Sequence, residues 1–469
     1  MNSIKQEGMY GHILIVLLIV TAALGVYLLP LFIAGIQLFA FRFLLAVTLL
    51  LLPWLSPDLS WRRLWAPRFY FLLGVIWLTW GVIGFLWTPD TADGARELIA
   101  VGTGFLIGFI FLTLKAYTDN GVLAIGWGWS AAFLATSLIA LWEVVTGHHL
   151  PSYYTLHLPS YATPDITSTF GNPNNYGAFL VLAYPFLWLS YWLTRKTFWR
   201  WLPYLFILST PVFLLLSASR LSMTGYLLQV LALGFVSLLH PRKHIVTLLT
   251  LVISVVLIGV VASNPTLKIN KKIDVARKEV QINDNNKDSL SEPSKSTDAK
   301  EKESSKIDSG GATKSEPAKK IENKEPPAQR ISAIQARINL TRNGIWMIGT
   351  TWGRGVGPGG FEYFHIHRLV PLPTNGIPNP HNFFIEIASQ YGILVICLFF
   401  SWYVSLFYIA FKKRFTKTGL VLIMALLGYI PVAASNSSYI PQQINWVFLA
   451  SVMILASHLI ALDPRSKDA

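Results

Sequence analysis

PHNFFIEIASQYGILVICLFFSWYVSLFYIAFKKR, residues 380–414, decides the fold. The run 389–411 carries no charged side chain, and a helical membrane span needs about 20 apolar residues. A polar mouth, Pro380-His381-Asn382, precedes the run, and Lys412, Lys413 and Arg414 close it. Lysine and arginine collect on the cytoplasmic side of membrane proteins, so the basic end marks the inside and His381 falls outside.

The rest of the chain repeats this texture. Of 469 residues, 53% are hydrophobic and only 13% charged, with 17 Trp, 28 Phe and 18 Tyr. A soluble domain of this size needs more charge to cover its surface. Apolar runs at about 10–29, 31–53, 69–87, 97–115, 121–142, 174–193, 202–217, 221–239, 244–262, 389–411, 418–434 and 443–462 predict an all-α polytopic integral membrane protein of about twelve transmembrane helices. No small-residue cleavage site follows the first run, which predicts a retained span and not a removed signal peptide. The net charge of +14 is read as cytoplasmic loop charge and not as a nucleic-acid surface. The sole cysteine, Cys397, lies in an apolar run, which excludes an intrachain disulfide.

With both termini cytoplasmic, the inside loops hold Arg62, Arg63 and Arg68, then Arg195, Lys196 and Arg200, then Arg242 and Lys243, then Lys412 to Lys417. Arg96 and Arg220 are the basic exceptions in the short outside loops. The chain then divides into residues 1–262 with nine spans and an outer loop at about 143–173, a large outer loop at 263–388, and three further spans with a cytoplasmic tail at 389–469. Within the large loop, about 283–329 lacks aromatics and mixes charge with Ser, Pro and Gly, a composition that predicts disorder. About 330–365 predicts an amphipathic helix on the outer membrane face together with the glycine turn that follows it, GRGVGPGGF at 353–361.

Several polar groups stand out. Arg42 is predicted at the middle of the second span, where an arginine costs about 2.5–3.5 kcal/mol on insertion scales. It is either a structural group bonded to carbonyls or part of a substrate cavity. Arg220, at the outer end of a span, either snorkels to lipid head groups or clamps a diphosphate bidentately. Arg330 and Arg337 share one helix face and Arg342 another, which fits anionic lipid or an anionic substrate alike. Gly355 and Gly357 belong to a turn whose N–H groups could cradle phosphate oxygens, although no Walker Lys-Ser or Lys-Thr follows. His381 is either an interfacial ring beside the helix cap Asn382, with Glu386 a turn below, or a general base. His148-His149 and His365-Ile366-His367 lack the spacing of a metal site, and no metal is predicted.

In order, the segments ALWEVVTGHHLP, STFGNPNNYGAFLVLAYP, SASR, ARINLTRNGIWMIGTTWGRGVGPGGFEYF and PHNFFIEIASQYGI resemble the O-antigen ligase/polymerase superfamily of bacterial envelope glycosyltransferases. The similarity runs from about Glu143 onward. The charge-rich insertion and the absence of core-ligase signatures are most similar to Gram-positive members of the teichuronic acid polymerase type. The resemblance implies a cytoplasmic-membrane enzyme that uses an undecaprenyl-diphosphate-linked oligosaccharide donor and a glycan acceptor outside the cell. It needs no cofactor and no nucleic acid, and it works beside other envelope polysaccharide assembly proteins. Carried over, Arg220 and Arg337 engage the diphosphate, with Arg42 a further candidate. The 355–359 turn matches the family's GVGPG signature, and His381 is the catalytic histidine, supported by Asn382 and Glu386. The family's usual Pro-Leu approach to that turn reads TTWGRG here. A ligase passing finished glycan to a lipid or protein, or a flippase of lipid-linked glycan, are the alternatives.

Overall fold

The computed structural model describes residues 2–33, 36–55, 67–152, 165–239, 245–263, 331–434 and 440–462. The segment at about 283–329, Arg330, His157 and the loop residues Arg62, Arg63, Arg242 and Lys243 lie outside the described residues. The helices are α1 (Asn2–Leu24), α2 (Ala40–Leu55), α3 (Arg68–Gly84), α4 (Thr91–Thr113), α5 (Asp119–Thr146), α6 (Pro173–Leu193) and α7 (Thr197–Leu216). They continue as α8 (Arg220–Leu239), α9 (Ile245–Ser263), α10 (Ala333–Thr350), α11 (Gly360–Ile366), α12 (Phe383–Lys412), α13 (Lys417–Ala433) and α14 (Gln443–Ala461). Among the described residues, eight helices are long and apolar enough to cross a membrane, and α2, α3, α9 and α13 are shorter apolar helices beside them.

Local sequence explains where the helices start. Asp90 Oδ1 accepts from Ala92 and Asp93 N–H to cap α4, and Thr118 and Thr416 cap α5 and α13 with their hydroxyls. Asn172 caps α6, with Pro173 at its first position, where the missing N–H has no partner to lose.

The bundle is built around α6 and α14, whose most apolar windows are 83% and 89% buried, against 28% for α7. Such all-round burial requires polar groups to find partners inside. Trp129 Nε1 donates to Ser451 Oγ at 3.2 Å, Ser130 Oγ to Ser190 Oγ at 3.0 Å, and Gln229 Nε2 to the Val181 carbonyl at 2.9 Å. The outer helices instead turn apolar residues such as Val75, Leu138 and Phe235 outward, as lipid-facing helices do.

One span differs from the sequence expectation. The run at about 31–53 is not helical throughout: Leu31–Ile33 and Ile36–Leu38 pair as an antiparallel hairpin, Ile33 opposite Ile36, and α2 begins at Ala40. Pro30 cannot donate to a helical ladder, and Leu29 turns the chain at φ 55°. Arg42 therefore occupies the first turn of α2 and not the centre of a span. It is exposed, with its guanidinium 5.0 Å from the Phe39 ring centre.

Candidate active site

The ends of α1, α5 and α6 meet through the loop that joins the last two. Glu143, 2% exposed near the end of α5, holds that loop from below. Its carboxylate accepts from Thr167 N–H at 2.8 Å, Ser168 N–H at 2.9 Å and the Thr167 hydroxyl at 3.1 Å, and His149 Nδ1 lies 3.2 Å away. The motifs ALWEVVTGHHLP and STFGNPNN are thus two halves of one buried contact. Thr169 Oγ1 donates to the Ala23 carbonyl of α1 at 2.7 Å, and Tyr27 OH to the Pro151 carbonyl at 2.8 Å. Arg42 lies at this end because Ala40 N–H donates to the Leu28 carbonyl.

Arg220 opens α8 at the same end and is exposed. The SASR corner turns at Ala218, φ 51°, and Ser219 Oγ donates to Ser222 Oγ at 2.8 Å. Small residues are needed here because Gly177 of α6 lies against Ser217, Ser219 and Ser222. One turn further, Gly225 packs on the Gly428 carbonyl of α13.

His381 enters from the other side of α13. It precedes α12 at φ 52° and is half-buried. Asn382 is the helix cap, its Oδ1 accepting from Phe384 N–H at 3.0 Å and Ile385 N–H at 3.3 Å. Phe383 packs edge-on against Phe399 and against Tyr429 of α13, with ring centres 5.4 Å and 6.2 Å apart. Glu386 lies below, 3% exposed.

The first part of α12 is a separate short helix. Gly392, at φ 82° and ψ −178°, breaks the ladder, which frees the carbonyls of Ser389 and Gln390 and the N–H of Ile393. The glycine turn fills the break: Val356 N–H donates to Ser389 O at 2.8 Å, Gly357 N–H to Gln390 O at 3.0 Å, and Ile393 N–H to Gly353 O at 2.8 Å. Gly355 N–H goes to Thr351 Oγ1 at 3.2 Å, and Gly359 N–H to Glu97 Oε2 at 3.1 Å. Every one of these N–H groups has a protein acceptor, so they do not form the open phosphate cradle that the glycine spacing suggested. Gly355 and Gly357 serve close packing at positive φ: a Cβ on Gly355 would strike the Gln390 carbonyl, and one on Gly357 would press on Thr88. Trp87 Nε1 and Thr88 Oγ1 donate to the carbonyls of Gly355 and Pro358, which joins the turn to the α3–α4 corner.

Helix α10 lies against this short helix, with Gly344 allowing the approach to Ile385. Its packed face presents Ala336, Leu340, Asn343 and Met347, and the asparagines fasten it to the following loop. Asn339 Nδ2 donates to the Pro373 carbonyl at 2.8 Å, and Asn343 exchanges bonds with Leu372 at 3.0 and 3.2 Å. The helix is thereby bound to protein along this face, while Arg337 and Arg342 are exposed. In α11, His365 Nδ1 lies 2.9 Å from the Phe361 carbonyl, and its Nε2 faces Asn343 Nδ2 at 3.2 Å. That pair of contacts fits a neutral ring donating from Nδ1, and burial lowers its pKa accordingly. Burial, with Asp93 nearby, raises the pKa of Glu362 on the same helix.

Arg42, Arg220, His381, Asn382 and the glycine turn all lie at one end of the bundle. Arg220 and His381 flank the last half of α13, and Arg337 is carried by the helix packed on α12. Sequence reasoning missed Glu143 and Glu97. The only sign of either was a lone carboxylate at the edge of an apolar run, LWEVV or RELIAV. Glu97, Glu386 and Tyr391 lie within electrostatic reach of one another beneath the turn.

Residues 204–400 match the family model described as O-Antigen ligase. The chain is also similar to the teichuronic acid biosynthesis protein TuaE of Bacillus subtilis (strain 168), with 21% identity over 390 residues, covering 81% of this chain and 70% of that relative. The matched segment contains Arg220, Arg337, the glycine turn and His381. The apolar helices make this chain a multi-pass membrane protein, and its residues 204–400 are similar to the O-antigen ligase family.

Proposed function

We propose that this protein is a metal-independent glycosyltransferase that polymerises undecaprenyl-diphosphate-linked repeat units of a teichuronic acid or capsule-like glycan on the outer face of the cytoplasmic membrane. The observation that carries the reading is the O-antigen ligase match over 204–400, which spans in one block Arg220, Arg337 and His381. The name of the relative, a teichuronic acid biosynthesis protein, favours a wall glycan as product.

The donor carries its own activation, so two tasks remain for the side chains. His381 accepts the proton of the incoming sugar hydroxyl, a contribution of about 10²–10⁴-fold. That oxygen bonds to the anomeric carbon as the bond from this carbon to the diphosphate oxygen breaks. Arg220 and Arg337 hold the departing diphosphate, with Arg42 as a third cation, and stabilise the charge that grows on it. Attack opposite the leaving group inverts the anomeric centre. Asn382 sets the backbone that presents His381, through its two cap bonds. Glu386 supports the same short helix from its buried side.

The test is purified protein with lipid-linked repeat units in EDTA. A ladder of products is expected. Activity lost in EDTA and restored by a divalent metal would contradict metal-free transfer. A single addition per acceptor would instead favour finished-glycan ligation, the reading suggested by the family description itself.

A further inference from the structure

At the end of the bundle opposite His381, α5, α7 and α13 all begin around a cavity of about 880 Å³. Arg195, Lys196 and Lys417 line it, together with Trp127, Trp192 and Trp199. Lys417 Nζ donates to the Trp192 carbonyl at 3.0 Å, which fixes one cation at the rim. Arg195 and Lys196 are exposed, and among the described residues neither makes a hydrogen bond or an ion pair. The one acidic side chain in the lining, Asp119, is 89% exposed at the rim, 3.8 Å from His458 Nε2, and is outnumbered by the three cations.

The helix starts add to this charge. The N-terminus of a helix carries about half a positive charge and unsatisfied N–H groups. Thr118 and Thr416 each satisfy one N–H of α5 and α13, while α7 has no side-chain cap at all. Three helix starts and three cations thus converge on one recess. Cations that only set membrane orientation would be spread along loops and would need no walled cavity. Here the wall is apolar: Trp127 and Trp199 meet edge-on with ring centres 6.4 Å apart, and Val122, Leu123 and Leu193 continue it. Phe198 and Trp201, 78% and 59% exposed on α7, give acyl chains a surface beside the opening. Tryptophan at head-group depth beside lysine and arginine is the chemistry of lipid recognition.

We propose that this cavity binds the phosphate head group of an anionic phospholipid, held by Arg195, Lys196 and the start of α7, with the three tryptophans against its glycerol region. The site lies at the far end from the residues assigned to transfer and does not depend on that assignment.

The experiment uses full-length protein in a neutral detergent, titrated with phosphatidylglycerol or phosphatidylcholine and read by native mass spectrometry and thermal unfolding. Selective binding and a raised Tm with phosphatidylglycerol are expected. Arg195→Gln with Lys196→Gln should weaken that binding at least about tenfold, since each cation near an anionic lipid contributes substantially. Lys412→Gln, a charge removed at the same end outside the cavity, should leave it unchanged. Three results would overturn the proposal: equal binding of phosphatidylcholine, undiminished preference in the double variant, or inorganic phosphate stabilising as strongly as the lipid.

Discussion

The loop after α5 and the turn after α10 both bring backbone N–H groups to the end of the bundle that carries His381, and they satisfy them by different means. The first loop gathers its N–H groups on one buried side chain, the Glu143 carboxylate. The second uses main chain almost alone: α12 breaks at Gly392, and the carbonyls released are taken by the glycine turn. A carboxylate can gather amides from any direction, so the first loop needs few glycines. A turn pressed into a broken helix must approach backbone to backbone, so it needs glycine at nearly every second position. In both, the main chain is scaffold, and the proposed transfer chemistry is assigned to side chains outside these backbone contacts, Arg220, Arg337 and Arg42, which are exposed, and His381, which is half-buried.

The largest effect should come from the backbone-packed region. Gly355→Ala or Gly392→Ala puts a Cβ into a carbonyl at positive φ, and the loss should be on the order of 3–5 kcal/mol. Detergent-solubilised protein should then lose its folded fraction by size-exclusion chromatography; either alanine variant folding with an unchanged Tm breaks the comparison. Next, Glu143→Ala leaves buried N–H groups without an acceptor and should cost about 2–4 kcal/mol. Glu143→Gln keeps one acceptor oxygen and should fall between alanine and wild type in Tm; equal losses would show that shape, not hydrogen bonding, holds the loop.

Smaller is the cap: Asn382→Ala should cost about 1 kcal/mol and fray the short helix, seen as faster amide exchange over 383–386. Smallest is a pH effect in α11. The pKa of His365 is lowered on folding, so its contribution is complete above the ordinary histidine value near 6.5 and is lost as pH falls through that value to the lowered one. His365→Gln should flatten this acid limb of the Tm profile, and an unchanged limb would place the titration elsewhere. Glu362 acts with the opposite sign, its raised pKa favouring the folded state at low pH and losing that contribution as pH rises.

Much of this architecture was legible in the sequence. Apolar runs marked the helices, because a run of about 20 apolar residues admits few other conformations, but polar residues in the first turns hid several starts, such as Asn2, Thr91 and Phe383. The hairpin at 31–38 was hidden because its residues are as apolar as a span, with only Pro30 and the Ala34-Gly35 step to mark it. That hidden hairpin is also why Arg42 read as a mid-span charge. The glycine turn was visible as a turn, but not the destination of its N–H groups, which depends on a break in α12 distant in sequence. Glu143 and Glu97 were missed for the same reason: their partners lie 24 and 262 residues away. Asn382 was legible as a cap because a cap is local.

The most direct test separates scaffold from chemistry in one assay. Wild type, His381→Ala and Arg220→Ala are purified, shown to share one Tm, and given lipid-linked repeat units. The account predicts folded His381→Ala slowed by about 10²–10⁴-fold, with Arg220→Ala also impaired. Elongation by His381→Ala at the wild-type rate would contradict it.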